Sequence, residues 1–272
     1  MTGPASARAA DAADEATPPA RARRWRWWWV VVAVITGLAL ASVAAEAIAR
    51  AVVVQTVRSQ AAAGFGVPVE QVEADVPGVV LRQLAAGSLN DVRVGVDGVS
   101  MGGAVGVSVS IDLRHVDPWD RTFGNGSATV RLTEDQMRVL LADAPGADAA
   151  TVSLEDPYLT VAIPIPIAGG VPVRAAFSPT VSAGELVLAP ARLQVAGADI
   201  GLDVLRERFG IAADAVMTGW RLCLRAALPA GLTLGSVAVD GDELVATFGI
   251  DPAILTDPDS RRPGTCAEDA VP

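Results

Sequence analysis

Four arginines in six residues, Arg21, Arg23, Arg24 and Arg26, run straight into Trp27–Ala45, nineteen residues without a charge. A helix of that length reaches ~28 Å at ~1.5 Å per residue, close to the ~30 Å hydrocarbon core of a bilayer. Trp25, Trp27, Trp28 and Trp29 stand at its start, where an indole buries its ring at the membrane interface and keeps its N–H wet. Under the positive-inside rule the arginines stay in the cytoplasm and the chain after Glu46 is exported. A cleaved signal peptide is the rival reading, because Ala39-Leu40-Ala41 fits the small-x-small cleavage pattern. The uncleaved anchor is preferred: the segment before the arginines is long for a signal n-region, and the apolar character continues past Ala41. A buried core helix accounts poorly for clustered tryptophans behind a basic patch.

This divides the chain into a disordered cytoplasmic tail (1–24), an anchor (25–45), an extracytoplasmic domain (46–256) and a polar C-terminal tail (257–272). The first twenty residues are Ala, Pro and small polar residues without apolar periodicity. From Glu46 onward 16 arginines face 28 carboxylates, and the chain has no lysine. An acidic exported domain does not track nucleic acid, whose phosphates demand a basic surface. Without lysine, Schiff-base chemistry is excluded. Two cysteines, Cys223 and Cys266, and one histidine cannot assemble a four-ligand zinc site. In an exported protein the two thiols either form a disulfide that pins the tail to the domain or stand independently.

Glu46–Ala63 continues the apolar helix outward, with Arg50, Gln55, Arg58 and Gln60 among alanines and valines. No clean amphipathic stripe is visible there, which predicts cover on more than one side. Gly64-Phe65-Gly66 ends the helix and Pro68 forbids an early restart. The period then changes to two. Val92, Val94 and Val96 alternate with polar or small residues, as do Val105–Leu113, Leu159–Ile167, Val171–Phe177, Leu186–Leu188, Leu193–Val195, Leu232–Leu234, Val237–Val239 and Leu244–Ile250. Such alternation means strands with one apolar face. Asp97-Gly98, Gly102-Gly103, Gly169-Gly170, Ala183-Gly184 and Asp240-Gly241 read as the turns between them. Pro164 and Pro166 remove two N–H groups from one side of their strand, so that strand is expected at a sheet edge. Helices are expected at Pro77–Ala86, at Thr133–Ala142 with Thr133 as N-cap, and at Leu202–Phe209, while Asp214–Ala227 is ambiguous. The class is α+β, strand-dominated and antiparallel.

Few residues offer chemistry. Gly98-Val99-Ser100-Met101-Gly102 matches a nucleophile elbow, but the elbow needs a strand before it and a helix after it. Here strands flank it on both sides, and the single histidine, His115, lies at the far end of the next strand. His115 with Asp112 and Asp117 reads as a solvated strand end rather than a metal site. Asp240-Gly241-Asp242-Glu243 lacks the twelve-residue spacing of a calcium loop. Asn125-Gly126-Ser127 is a glycosylation sequon by pattern alone. No phosphate loop, dinucleotide fingerprint or haem motif appears, and no cofactor or metal is expected. What remains is a long aliphatic face, either an ordinary core or a groove that shields acyl chains at roughly 0.8 kcal/mol per CH₂.

The order of elements weighs on that choice. An outward helix carries Glu46 and Arg50. Val76-Pro77-Gly78 opens a small helix bearing Leu81, Leu84 and Gly87. The hairpin Leu89–Leu113 follows, and Leu228-Pro229-Ala230-Gly231-Leu232 leads into two closing strands. Over Leu38–Ile250 this resembles the LmeA-like family of actinobacterial phospholipid-binding envelope proteins. The resemblance implies a tubular lipid-binding fold, with a long curved antiparallel sheet wrapped around a helix and one transmembrane helix before it. It also implies a periplasmic, membrane-tethered lipid binder acting in cell-envelope lipid or lipoglycan homeostasis, with phospholipid and the cytoplasmic membrane as partners and no catalytic residues. The expected lining is Val94, Val96, Val107, Val109, Ile111, Val161, Ile163 and Ile165, facing Glu46–Ala63 and the helix after Pro77. The alternatives are a structural or interaction domain with a closed apolar core and, more distantly, a hydrolase.

Overall fold

A computed structural model describes residues 20–101, 103–141, 151–165, 171–195, 197–201 and 220–266. Contacts divide the chain into two units, 1–47 and 48–272. Helix α1 (Ala20–Phe65) belongs to both. In the first unit its four tryptophans are exposed, as are the apolar residues after them except the half-buried Val31. Among the described residues, Trp27–Phe65 is a helical stretch long and apolar enough to cross a membrane by length and composition.

In the second unit one face of α1 is covered. Ala49, Val53, Val57 and Ala61, four apart, pack on the core together with Val54, Ala62 and Phe65. Ile48 and Val52 remain exposed at 66% and 60%. The expectation of cover on several sides is therefore corrected. Apolar residues stand on both faces, which hid the stripe, but only one face packs. Arginines fasten this part of the helix to the chain that follows. The Arg58 guanidinium donates to the carbonyls of Val72 (2.7 Å) and Val69 (3.2 Å), and Arg50 donates to the carbonyl of Gly78. These bonds tie the helix to backbone carbonyls beside an apolar core, and the Val69 carbonyl also accepts the Val72 N–H.

Strand β1 (Val72–Asp75) leads to α2 (Val80–Ala85), which starts later than the sequence implied. The reason is Gly78, held at φ +92°, in a region L side chains avoid. A Cβ there would meet the Gln83 amide nitrogen at 2.7 Å. Gln83 is buried and ties the segment together: its amide donates to the Pro77 carbonyl and its oxygen accepts from the Asn90 N–H, both at 2.8 Å.

Among the described residues the strands form two open antiparallel sheets. The first has the order β1, β2 (Leu89–Met101), β3 (Ala104–Val116), β4 (Asn125–Thr133), β12 (Glu243–Ile250), β11 (Leu232–Asp240). The second runs β10 (Trp220–Leu222), β8 (Glu185–Val195), β7 (Val171–Ser182), β6 (Tyr158–Ile165), β5 (Thr151–Glu155), with β9 (Ala198–Ile200) also on β8. The α+β class and antiparallel pairing agree with the pattern reading, with the strands shared between two sheets. Helix α3 (Glu134–Leu141) joins them. Thr133 and Gln136 cap its start reciprocally, and the Glu134 carboxylate accepts the N–H of Leu154 at 2.7 Å.

Some local expectations change. Asp97-Gly98 is a bulge inside β2, between the pairs Val96–Val109 and Val99–Val107, and not a turn. The strand carrying Pro164 is not an edge along its whole length. Leu159–Ala162 pairs with both β5 and β7, and β5 begins opposite Ala162. From Ile163 to Ile165 the described pairing is with β7 only, which leaves the imide of Pro164 clear of a ladder. Arg225–Ala227 is a single 3-10 turn following β10. Leu202–Phe209, Gly169-Gly170 and Pro166 fall outside the described residues. Cys223 and Cys266 are bonded, with Cα atoms 6.0 Å apart. Asp257–Cys266 is folded back after the short helix α4 (Ala253–Thr256): backbone bonds join Ala230 to Arg262, Gly231 to Ser260 and Gly264 to Leu228.

Candidate functional site

Strand register sorts the inner side chains of the first sheet into four rows. The row nearest the β2–β3 turn is Val99, Val107, Leu132, Leu244 and Val239, and all five are buried. The next is Val72, Val96, Val109, Val130, Ala246 and Val237, also buried. In the third row Val94 and Leu234 are buried, but Ile111, Ala128 and Phe248 between them are only half-buried. In the fourth, Val92 is buried while Leu113, Gly126, Ile250 and Leu232 are half-buried. The apolar face is therefore sealed at one end of the strands and opens toward the other. Within the fourth row the side chains of Leu113, Phe123 and Ile250 close over Gly126, where a Cβ would lie 2.7, 3.1 and 3.3 Å from them.

The expected lining residues divide along this gradient. Val96 and Val107 are 1% and 0% exposed, sealed by protein atoms, and Val94 and Val109 are nearly so. Ile111 lies in the opening row, and Val161 is half-buried against the core from the second sheet. Ile163 and Ile165 are placed by backbone only, opposite Val173 and Val171. Pattern reading missed β4, whose Ala128, Val130 and Leu132 complete the face. Their alternation with Thr129 and Arg131 was the available signal, weakened by the small residues Gly126 and Ala128.

The outer face of the same sheet is polar. Arg93 pairs with Asp112 at 3.5 Å, Arg114 approaches Asp91 at 3.9 Å, and Arg131 meets Glu243 at 3.4 Å. Exposed pairs of this kind contribute little to stability. Two open depressions of about 400 Å³ lie on the described surface, one over Asp91, Asp112 and Ser127, the other between Arg58 and Glu73. Both are edged by charged groups and suit no acyl chain.

Ser100 and His115 sit at opposite ends of the β2–β3 hairpin, roughly 35 Å of strand apart. They cannot share a proton. The Asp112 carboxylate faces Arg93, and Asp117 accepts the N–H groups of Trp119 and Asp120 at 2.8 and 3.0 Å. Among the described residues no three His, Cys, Asp or Glu side chains converge as metal ligands do.

Among the described residues the site is thus an aliphatic sheet face, half-buried toward one end, with one side of α1 packed against the core. In the comparison with known families, residues 40–248 match the family described as LmeA-like phospholipid-binding, and the chain belongs to that family. No curated protein and no solved structure matches it.

Proposed function

We propose that this protein is an exported phospholipid-binding protein, held on the cytoplasmic membrane by α1 with its N-terminus inside. It serves cell-envelope lipid homeostasis by shielding acyl chains rather than by catalysis. The observation that carries the reading is membership of a phospholipid-binding family over most of the chain. The half-open aliphatic face supports it, because each CH₂ removed from water gains roughly 0.8 kcal/mol. The Cys223–Cys266 bond fits an oxidising compartment outside the cytoplasm.

An acyl chain would enter across Leu113 and Ile250 and lie on Ile111 and Phe248. It would then reach Val94 and, on the second sheet, Val161, with Ile163 and Ile165 further along the same strand. Contact with Val109, Val96 and Val107 would require the sealed rows to part. Their burial favours one specific alternative for the deep half of the face, a closed core that supports the open half.

The membrane half of the proposal has a direct test. A reporter active only after export, fused after Ala63, is expected to be active, and a cytoplasm-dependent reporter at the same place silent. The reverse pattern would overturn the orientation. Neutralising the four arginines before Trp27 is expected to weaken it. The binding half is tested by phospholipid extracted with the purified domain.

A further inference from the structure

We infer that the open end of the first sheet is a docking surface for a phospholipid bilayer, with Trp119 as its inserting residue. This rests on the phospholipid-binding reading and adds where the lipid is exchanged. Exposed apolar side chains from separate segments stand at that end of the strands. Trp119, 73% exposed, stands on the loop after β3, which leaves the sheet next to the Leu89–Val116 pair. Val79 (51%) and Leu81 (39%) flank the start of α2, which Gln83 ties to Asn90 at the foot of β2. Leu255 (47%) lies on α4, directly after β12 ends at the Ile250–Gly126 pair. These are the strand ends at which the inner face opens.

The backbone of the loop that carries the indole is tied down. Asp117 accepts two N–H groups of its own loop, and Asp117 and Thr122 bond to each other across it at 2.8 and 3.3 Å. Phe123 is buried immediately behind. An exposed indole gains free energy at a lipid interface, where its ring leaves water and its N–H stays wet. In the same loop Arg121 and Asp120 are exposed, and at the neighbouring strand ends Arg114 is exposed and faces Asp91. With charges of both signs present, insertion rather than long-range attraction carries the docking. Ile48, exposed on α1, follows closely on the uncharged run in the sequence.

The other end offers a built-in control. Met101, Val105 and Val139 are also exposed there, Val105 at 70%. Behind them, however, Val107 and Val96 seal the face, so a lipid arriving at that end has no apolar path inward.

The test places an environment-sensitive fluorophore on single cysteines, Trp119→Cys, Leu255→Cys or Val105→Cys, in the full chain with its native disulfide intact. The chain is reconstituted in phosphatidylcholine–phosphatidylglycerol vesicles with or without doxyl-labelled acyl chains. Emission at positions 119 and 255 is expected to shift to the blue and to lose most of its intensity to the doxyl groups, while position 105 changes little. Equal quenching at 105 and 119, or none at 119, overturns the proposal. So does self-quenching at 119 without doxyl lipid, which would mean that a second copy of the chain covers this end. A phosphorus assay on the purified protein separates the two readings. Bound phospholipid with an unquenched position 119 overturns the docking surface alone, whereas quenching at 119 without bound phospholipid supports docking and overturns binding.

Discussion

Val107→Trp is expected to destabilise the domain by about 1–3 kcal/mol or more, because an indole has no room among sealed valines. Val107 is 0% exposed, and its row is closed by Val99, Leu132 and Leu244. Ile111→Trp, two residues along the same strand face, is expected to cost much less. Ile111 borders the half-buried Ala128 and Phe248, where the added ring can spread over the open part of the face. That ring would occupy space intended for an acyl chain, so bound phospholipid should fall while the unfolding midpoint barely moves. Thermal unfolding and lipid content of the two variants, measured side by side, separate a binding face from a closed core. Equal destabilisation with no change in lipid would mean that the whole face is core.

Replacing Cys223 and Cys266 together by serine is expected to lower stability by about 4 kcal/mol, the chain entropy of a closed loop of this length. The two positions are 43 residues apart, and the loop contains β11, β12 and α4. Three backbone hydrogen bonds already dock Ser260–Gly264 on Leu228–Gly231, so the native contacts of the segment should survive the substitution. The loss should therefore appear as a lower unfolding midpoint without loss of strand signal in circular dichroism. Thiol titration of denatured, unreduced wild-type protein should find no free thiol. An unchanged midpoint in the double variant would show that the loop is constrained in the unfolded chain by something other than the bond.

Much of the fold was legible because β12 and β3 from Val107 alternate, as do β2, β7 and β11 on either side of a bulge, and alternation reports which face a strand buries. The elements misread were those where two signals competed. Asp97-Gly98 carries a turn dipeptide, yet the strand continues past it as a bulge, because Val99 pairs with Val107 and returns to the buried face. Pro77-Gly78 reads as a helix start, but the positive φ of Gly78 postpones α2 to Val80. The family was legible from the order of elements between the outward helix and the Leu228–Leu232 segment, and residues 40–248 match it.

The site was legible only in part. Val94, Val107 and Ile111 look alike in the sequence. What separates a sealed valine from a half-open isoleucine is the neighbour across the strand, Leu132 for one and Ala128 for the other, and that depends on a register no local pattern fixes. Trp119 gave no signal either. Its meaning comes from Asp117 stiffening the loop and from Leu255, more than a hundred residues away, ending at the same rim.

Phospholipid held on the aliphatic face of this domain should be found by mass spectrometry of organic extracts from purified residues 46–272, a fragment free of the lipid that surrounds a membrane span. Stoichiometric phospholipid that persists through gel filtration and is depleted in Ile111→Trp is the expected result. Wild-type protein that is folded, disulfide-bonded and free of phospholipid would contradict it.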